Sequence, residues 1–233
     1  MNSKILYIIP ARGGSKGIPH KNIKELNGKP LIYYTLDVVK QLSDCENICV
    51  STDSLEIKEK VEEYGIRVPF LRPSELATDT ASTNDVLIHA LEFYKNQGNH
   101  YDIVVLLQAT SPFRRIQDVI NAVKTYTEDL DMVVSVRESS SNPYYNSYEE
   151  SEDGYLHISK GDGLITRRQD APPVWEYNGA IYVINPGSLL NKGLEHFTKI
   201  KKYVMDDIHS IDLDSIIDWK LAELILKNNL VNP

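Results

Sequence analysis

The chain has 233 residues, enough for one large domain or one domain with a small appendage. At 42% hydrophobic and 25% charged it is too apolar for a disordered chain, and no apolar run approaches the roughly 18 residues of a membrane span. The net charge of −8 argues against nucleic acid and membrane surfaces as partners.

Taken in chain order, Ile5–Ile9 reads as a buried strand, followed by a Gly-rich loop over Ala11–Lys21. Leu31–Leu42 has the spacing of an amphipathic helix and Asn47–Ser51 that of a strand. Leu55–Tyr64 is helical, Arg67–Leu71 a short strand and Asn84–Tyr94 a helix. Ile103–Leu107 is a central strand, Ile116–Thr125 a helix and Met132–Val136 a further strand. From Arg137 to about Pro173 the periodicity is lost, and Ser, Asn and Tyr crowd the segment. A stretch that long and that aromatic is read as an extended hairpin or arm that packs on a partner. Ala180–Ile184 and Tyr203–Met205 return as strands, and Ser215–Asn228 closes the chain as an amphipathic helix.

Alternating strands and helices predict an α/β fold, a mostly parallel sheet with helices on both faces. The domain reading is a main unit over 1–136 and 176–233, with 137–175 inserted as an arm. Ligands of such sheets bind outside the carboxyl ends of the strands. That rule selects three loops: Ala11–Lys21, Ser51–Asp53 and Gln108–Arg115. Cys45 and Cys49 have no partners at zinc spacing and read as core thiols of a cytoplasmic protein. The N-terminus enters its first strand with no cleavage-site pattern of a secretory signal.

Charge is unevenly distributed. Residues 1–25 hold Lys4, Arg12, Lys16, Lys21 and Lys24 against Glu25 alone, an island of +4 on a body of −12. A small phosphorylated ligand suits that island. The first loop lacks the Gly-Lys-Ser/Thr ending of a P-loop, and Gly13, Gly14 and Gly17 miss the dinucleotide spacing. It still has the parts of a phosphate cradle: glycines that let backbone N–H groups come close, and Arg12, Lys16 and Lys21 as cations. The competing reading is a solvated basic turn. Near the other end, Asp206, Asp207, Asp212, Asp214 and Asp218 fall within thirteen residues with no Lys or Arg between them. In an extended segment Asp212 and Asp214 share a face and could share a hard cation. Alternatively, Asp214 or Ser215 caps the last helix with Asp218 in its first turn.

The loop, together with Val50–Asp53, Leu71–Pro73, Ala77–Thr83, Leu107–Pro112, Arg168–Gln169, Asn178–Tyr182 and Ser210–Asp214, resembles the acylneuraminate cytidylyltransferases, the CMP-sialic acid synthetase family, along nearly the whole chain. The resemblance implies a Rossmann-like fold and transfer of CMP from CTP to the anomeric hydroxyl of a nonulosonic acid, with pyrophosphate released. It implies Arg12, Gly13, Lys16, Lys21, Asn22, Arg72, Ala81, Ser82 and Thr83 at the nucleotide, although Ser82 and Thr83 could equally cap the following helix. It implies Gln108, Arg168, Asn178 and Tyr182 at the acidic nine-carbon sugar, with core filling as the alternative for Tyr182. Asp212 and Asp214 would hold Mg²⁺, and with Arg12 and Lys21 they form the expected catalytic set. The arm would pair two subunits as a homodimer. Glu176 stands where sialic-acid members carry a basic residue, Tyr145 where one carries Lys, and Ala109 replaces a usual Pro. His20 and His209 read as solvated, and no general base is assigned. CMP-Kdo, CMP-legionaminate or CMP-pseudaminate synthesis and a non-catalytic nucleotide-binding module stay open beside this reading.

Overall fold

The structure, a computed structural model, describes residues 3–15 and 17–231. Strand β1 (Ile5–Pro10) leads to a two-stranded hairpin, β2 (Glu25–Leu26) and β3 (Lys29–Pro30). Helix α1 (Leu31–Lys40), β4 (Ile48–Ser51), α2 (Leu55–Glu63) and α3 (Thr83–Asn96) follow, then β5 (Ile103–Leu107), α4 (Ile116–Thr125) and β6 (Met132–Glu138). A small hairpin, β7 (Tyr148–Glu150) with β8 (Leu156–Ile158), precedes β9 (Trp175–Ile184), α5 (Pro186–Lys192), β10 (Ile200–Val204) and α6 (Ile216–Lys227).

Six strands form one sheet in the order β10-β6-β9-β5-β1-β4. β1 runs parallel to β4 and β5, and β10 parallel to β6, whereas β9 is antiparallel to both of its neighbours. The sheet is buried on both sides, which explains why its central strands are continuous apolar runs. Tyr7, Ile9, Ile103, Val105 and Leu107 enter one core with residues of α1, α2 and α4. Their alternates Leu6, Ile8, Val104 and Leu106 enter the other with Leu87, Ala90, Leu91 and Tyr94 of α3. A third cluster packs Trp219, Ala222, Ile225 and Leu226 of α6 on Leu31, Tyr34 and Leu26, so the last helix closes over α1 and the first hairpin.

Three sequence expectations need correction. Residues 67–71 are extended coil outside the sheet. Pro69 and Pro73 remove ladder donors, and the backbone is satisfied elsewhere, Val68 N–H by Glu62 Oε1 and Arg72 N–H by the Thr52 carbonyl. The last strand is Ile200–Val204, not Tyr203–Met205, and the strand expected at Ala180 already begins at Trp175. The first hairpin was not anticipated although Asn27-Gly28, both with positive φ (52° and 78°), is the turn a two-residue hairpin demands.

The segment between β6 and β9 contains a small hairpin, β7–β8, with Tyr148, Tyr155, Leu156 and Leu164 exposed. Its two ends are cross-strand neighbours, because Glu138 pairs with Trp175. Cys49 is a buried free thiol as expected, but Cys45 is not in the core: it stands exposed in the short turn before β4. Among the described residues no helix is long and apolar enough to cross a membrane.

Candidate active site

The carboxyl ends of β1 and β5, with the segment from Arg72 to the start of α3, open onto a cavity of about 510 Å³. Arg12, Lys21, Asn22, Arg72, Ala81 and Thr83 line it, so six of the nine residues expected at the nucleotide come together. Lys16 lies outside the described residues. Gly13 is not in the lining; its N–H donates to Asp53 Oδ1 at 2.9 Å and fixes the loop against the β4 end. Ser82 caps α3 by accepting from Asp85 N–H at 3.1 Å, while Ala81 and Thr83 on either side of it face the cavity. Capping and lining are thus divided between adjacent residues.

The loop is held in shape by several short contacts. Asn22 is buried, and its Nδ2 donates to the Arg12 carbonyl at 3.0 Å. Arg12 pairs with Asp79 across the cavity mouth at 2.7 Å. Gly17 lies so close to the Asp214 carbonyl that a Cβ would stand 2.2 Å from its oxygen. Only glycine permits that approach. Lys21, nearly buried, donates to the Leu213 carbonyl at 2.6 Å and to Asp214 Oδ1 at 3.1 Å. The basic loop and the acidic segment are therefore one structure, although about 190 residues separate them in sequence. Arg72 is buried and spends three of its donors on the Ser51 hydroxyl, the Ser51 carbonyl and the Leu76 carbonyl. Burial lowers its pKa, with the Asp53 charge opposing.

A second cavity of about 540 Å³ adjoins the first and shares Gln108 and Asp214 with it. Gln108, Asn178, Tyr182, Asp212 and Arg137 line it. The Tyr182 hydroxyl is pushed up in pKa by burial first and by Asp212 second. Tyr182 lines the chamber and also packs against the second core, so both readings of it hold. Arg168 is not: it stands exposed in a 3₁₀ turn of the arm, outside the lining of either cavity. The expectation for Asn178 is also altered. Its Oδ1 accepts from the Ser135 hydroxyl (2.6 Å) and Ala180 N–H (3.1 Å), and its Nδ2 donates to the Ser210 hydroxyl (2.9 Å). These bonds tie the irregular β6–β9 pairing near Ser135 to the acidic segment, so the amide is committed to scaffold.

Asp212 is the unusual carboxylate. Its Oδ1 is buried with no hydrogen-bond partner, and burial, reinforced by the Asp214 charge, raises its pKa. An orphaned buried carboxylate oxygen beside a second carboxylate is a donor set suited to a hard divalent cation. Among the described residues no third His, Cys, Asp or Glu joins them, so further ligands would have to come from substrate and water. Asp218 serves the alternative role foreseen for this cluster, bonding Ser215 N–H in a capping box at the start of α6. His20 is solvated as expected and pairs with Glu56, whereas His209 is largely covered and pairs with Asp206; both lie outside the two linings.

Sequence reasoning missed two residues. Arg114 is fully buried and donates to the Gln108 carbonyl (3.2 Å), the Ala180 carbonyl (2.7 Å) and the Thr35 hydroxyl (2.8 Å). Burial lowers its pKa to about 9, with Asp118 and Asp212 opposing, so it stays charged at neutral pH and staples the Gln108 loop to β9. Its signal was a cation directly after Ser111-Pro112-Phe113 at a strand end. The other is Arg137, the last but one residue of β6.

A doubly covered α/β sheet, with a cation-lined cleft at its strand ends joined to a carboxylate-lined chamber, defines a nucleotidyltransferase. The chain belongs to the cytidylyltransferase family, whose model, described as "Cytidylyltransferase", matches residues 6–228. It is 35% identical over 227 residues to a CMP-N,N'-diacetyllegionaminic acid synthase of Legionella pneumophila, with 97% of each chain covered. It is 38% identical over 228 residues to an N-acylneuraminate cytidylyltransferase of Escherichia coli, covering 95% of this chain and 52% of that one. Its fold is similar to a solved CMP:2-keto-3-deoxy-manno-octonic acid synthetase complexed with CTP, with a TM-score of 0.69, 18% identity, and 97% and 99% of the chains covered.

Proposed function

We propose that the chain transfers CMP from CTP to the anomeric hydroxyl of a nonulosonic acid, with pyrophosphate as the leaving group. The observation that carries this reading is the pair of cavities meeting at Gln108 and Asp214, one lined with cations for a triphosphate and the other with polar groups for a sugar. The full-length relative that activates diacetyllegionaminic acid supports a nine-carbon acidic acceptor.

The reaction is an in-line displacement at the α-phosphorus, and it needs no nucleophile from the protein. Arg12 and Lys21 lie where they can neutralise charge gathering on the departing pyrophosphate. Arg12 must then exchange Asp79, and Lys21 Asp214, for phosphate oxygens. Gln108 and Tyr182 orient the acceptor at the junction, which replaces a bimolecular encounter by a positioned one. Asp212 and Asp214 would hold Mg²⁺, which when bound screens the phosphates and acidifies the attacking hydroxyl. Arg114 keeps Gln108 in register with β9 while this happens.

The arm over 137–175 is an inserted pairing element in this reading, and the protein a cytoplasmic homodimer. The exposed Tyr148, Tyr155, Leu156 and Leu164 supply an apolar face that a two-fold partner would cover. Light scattering on the intact protein tests it, with a monomer at micromolar concentration ruling it out. The test of function is pyrophosphate release with CTP, UTP and ATP across several nonulosonic acids and Kdo. Release with CTP and a nonulosonic acid is expected. CTP binding with no release in any pairing would refute the reading.

A further inference from the structure

Unpaired polar atoms concentrate at one place in the fold. Among the described residues, five buried side-chain polar atoms have no hydrogen-bond partner, and four of them are Thr110 Oγ1, Ser111 Oγ, Arg114 Nε and Asp212 Oδ1. Buried polar groups are rarely left unpaired, so four together call for a function. The first three can donate and sit on the loop after β5, whereas an ionised Asp212 can only accept.

The backbone sets Thr110 beside Asp212. Leu213 N–H donates to the Thr110 carbonyl at 2.9 Å, which bolts the acidic segment to the β5 loop one residue away. Thr110 lines the nucleotide cavity and Asp212 the adjoining chamber, so the two flank the wall between them. Because Oγ1 is buried while the residue lines the cavity, the hydroxyl is turned into that wall. Burial raises the Asp212 pKa, and of the groups that favour its charged form the Thr110 hydroxyl ranks first, ahead of Lys21. Arg114, by contrast, commits its terminal nitrogens to the Gln108 and Ala180 carbonyls and the Thr35 hydroxyl. A carboxylate oxygen carries two lone pairs, and one fixed by a hydroxyl sets the direction of the rest. Such outer partners of ligating carboxylates are worth about 10–100-fold in metal affinity or activity.

We propose that Thr110 is the positioning residue for Asp212, its hydroxyl donating to the buried Oδ1 and leaving the remaining lone pairs of the carboxylate for a divalent cation. This rests on Asp212 being a cation ligand in the reading above. The donation takes an existing bond from neither partner. Thr110 acts through Asp212 and touches no reacting atom in this role.

The experiment compares wild type with Thr110→Val and Thr110→Ala, which lack the hydroxyl with and without its volume, Thr110→Ser, which keeps it, and Asp212→Asn. CTP binding without acceptor is measured by calorimetry, once with Mg²⁺ and once with EDTA, and the gain in affinity that Mg²⁺ brings is the readout. Thr110→Val and Thr110→Ala should lose most of that gain, as Asp212→Asn does, while their affinity with EDTA changes less than about twofold. In turnover, the half-saturating Mg²⁺ concentration should rise about 10–100-fold in both. Thr110→Ser should stay within about threefold of wild type in both measurements. A full gain in Thr110→Val beside a lost one in Asp212→Asn overturns the role of Thr110 and spares the metal reading. Affinity lost equally with EDTA makes Thr110 a direct nucleotide contact and overturns the proposal. No gain in wild type, or a full gain in Asp212→Asn, overturns the metal reading and the role of Thr110 with it.

Discussion

Asn178 illustrates how a residue at the sugar chamber can matter through stability. Replacing it with Ala removes four contacts: those with Ser135, Ala180 and Ser210, and the 3.5 Å contact of Nδ2 with Met205 Sδ. Ser135 Oγ is left with its own bonds to Ile181, accepting from N–H at 2.8 Å and donating to the carbonyl at 3.2 Å. The Ala180 N–H and the buried Ser210 hydroxyl lose the bonds Asn178 gives them. Two buried polar groups without partners cost about 1–3 kcal/mol each, so a loss of about 3 kcal/mol is expected. For a chain of this length that lowers the melting temperature by about 6–12 °C. Thermal melts by circular dichroism would read it, with sugar KM measured well below the transition. Ser135→Ala should be partly redundant with Asn178→Ala, so that the double variant falls short of the sum of the two. A melting temperature within 2 °C of wild type, together with a tenfold rise in sugar KM, would refute the scaffold argument and make the amide a sugar ligand.

Asp212→Asn should lower turnover by about 10²-fold, about 3 kcal/mol of transition-state stabilisation, without lowering the melting temperature, since it keeps the side chain's shape and removes a charge that burial disfavours; near-normal turnover would remove it from the metal site. Arg12→Ala should raise the CTP KM at least tenfold while the sugar KM changes less than twofold, and equal changes in the two would place Arg12 elsewhere. Asp131 is held below its ordinary carboxylate value of 3.8, first by Lys192, then by Ser188 and the N–H groups of Lys199 and Thr198. The stability it contributes is present above that value and is lost as pH falls through the depressed one. Asp131→Asn should therefore melt several degrees lower at pH 7, with the gap to wild type closing below pH 3; a gap independent of pH would assign the effect to shape alone.

Much of the site was legible because its physics is local. The strand ends that carry Arg12 and Gln108 follow from apolar runs interrupted by glycine, Thr and Pro, whereas Arg72 follows a run that only looks like a strand. What local pattern does not encode is direction and pairing. Nothing in the run Ala180–Ile184 distinguishes an antiparallel strand from the parallel ones beside it, because both are buried on two faces. Lys201 and Lys202 hid the edge strand β10, since edge strands carry the charges that an apolar pattern search rejects. Arg114 escaped notice because a charged side chain is expected at the surface, and its burial is made possible by carbonyls contributed from Gln108 and from Ala180. Arg137 reads as an ordinary strand terminus until Glu176 is brought opposite it.

The pairing of Glu138 with Trp175 has a consequence for how such a protein diversifies. The intervening segment leaves the sheet and returns to it at adjacent points, so geometrically it is an oversized hairpin turn. Lengthening a flexible closed loop twofold costs only about 0.6 kcal/mol, and the sheet feels little of what the loop contains. Insertions, deletions or wholesale replacement there leave both cavities untouched, since neither lining includes a residue from 139 to 174. This segment, cut at Glu138 and Trp175, is accordingly a unit that can be exchanged between relatives without rebuilding the sheet.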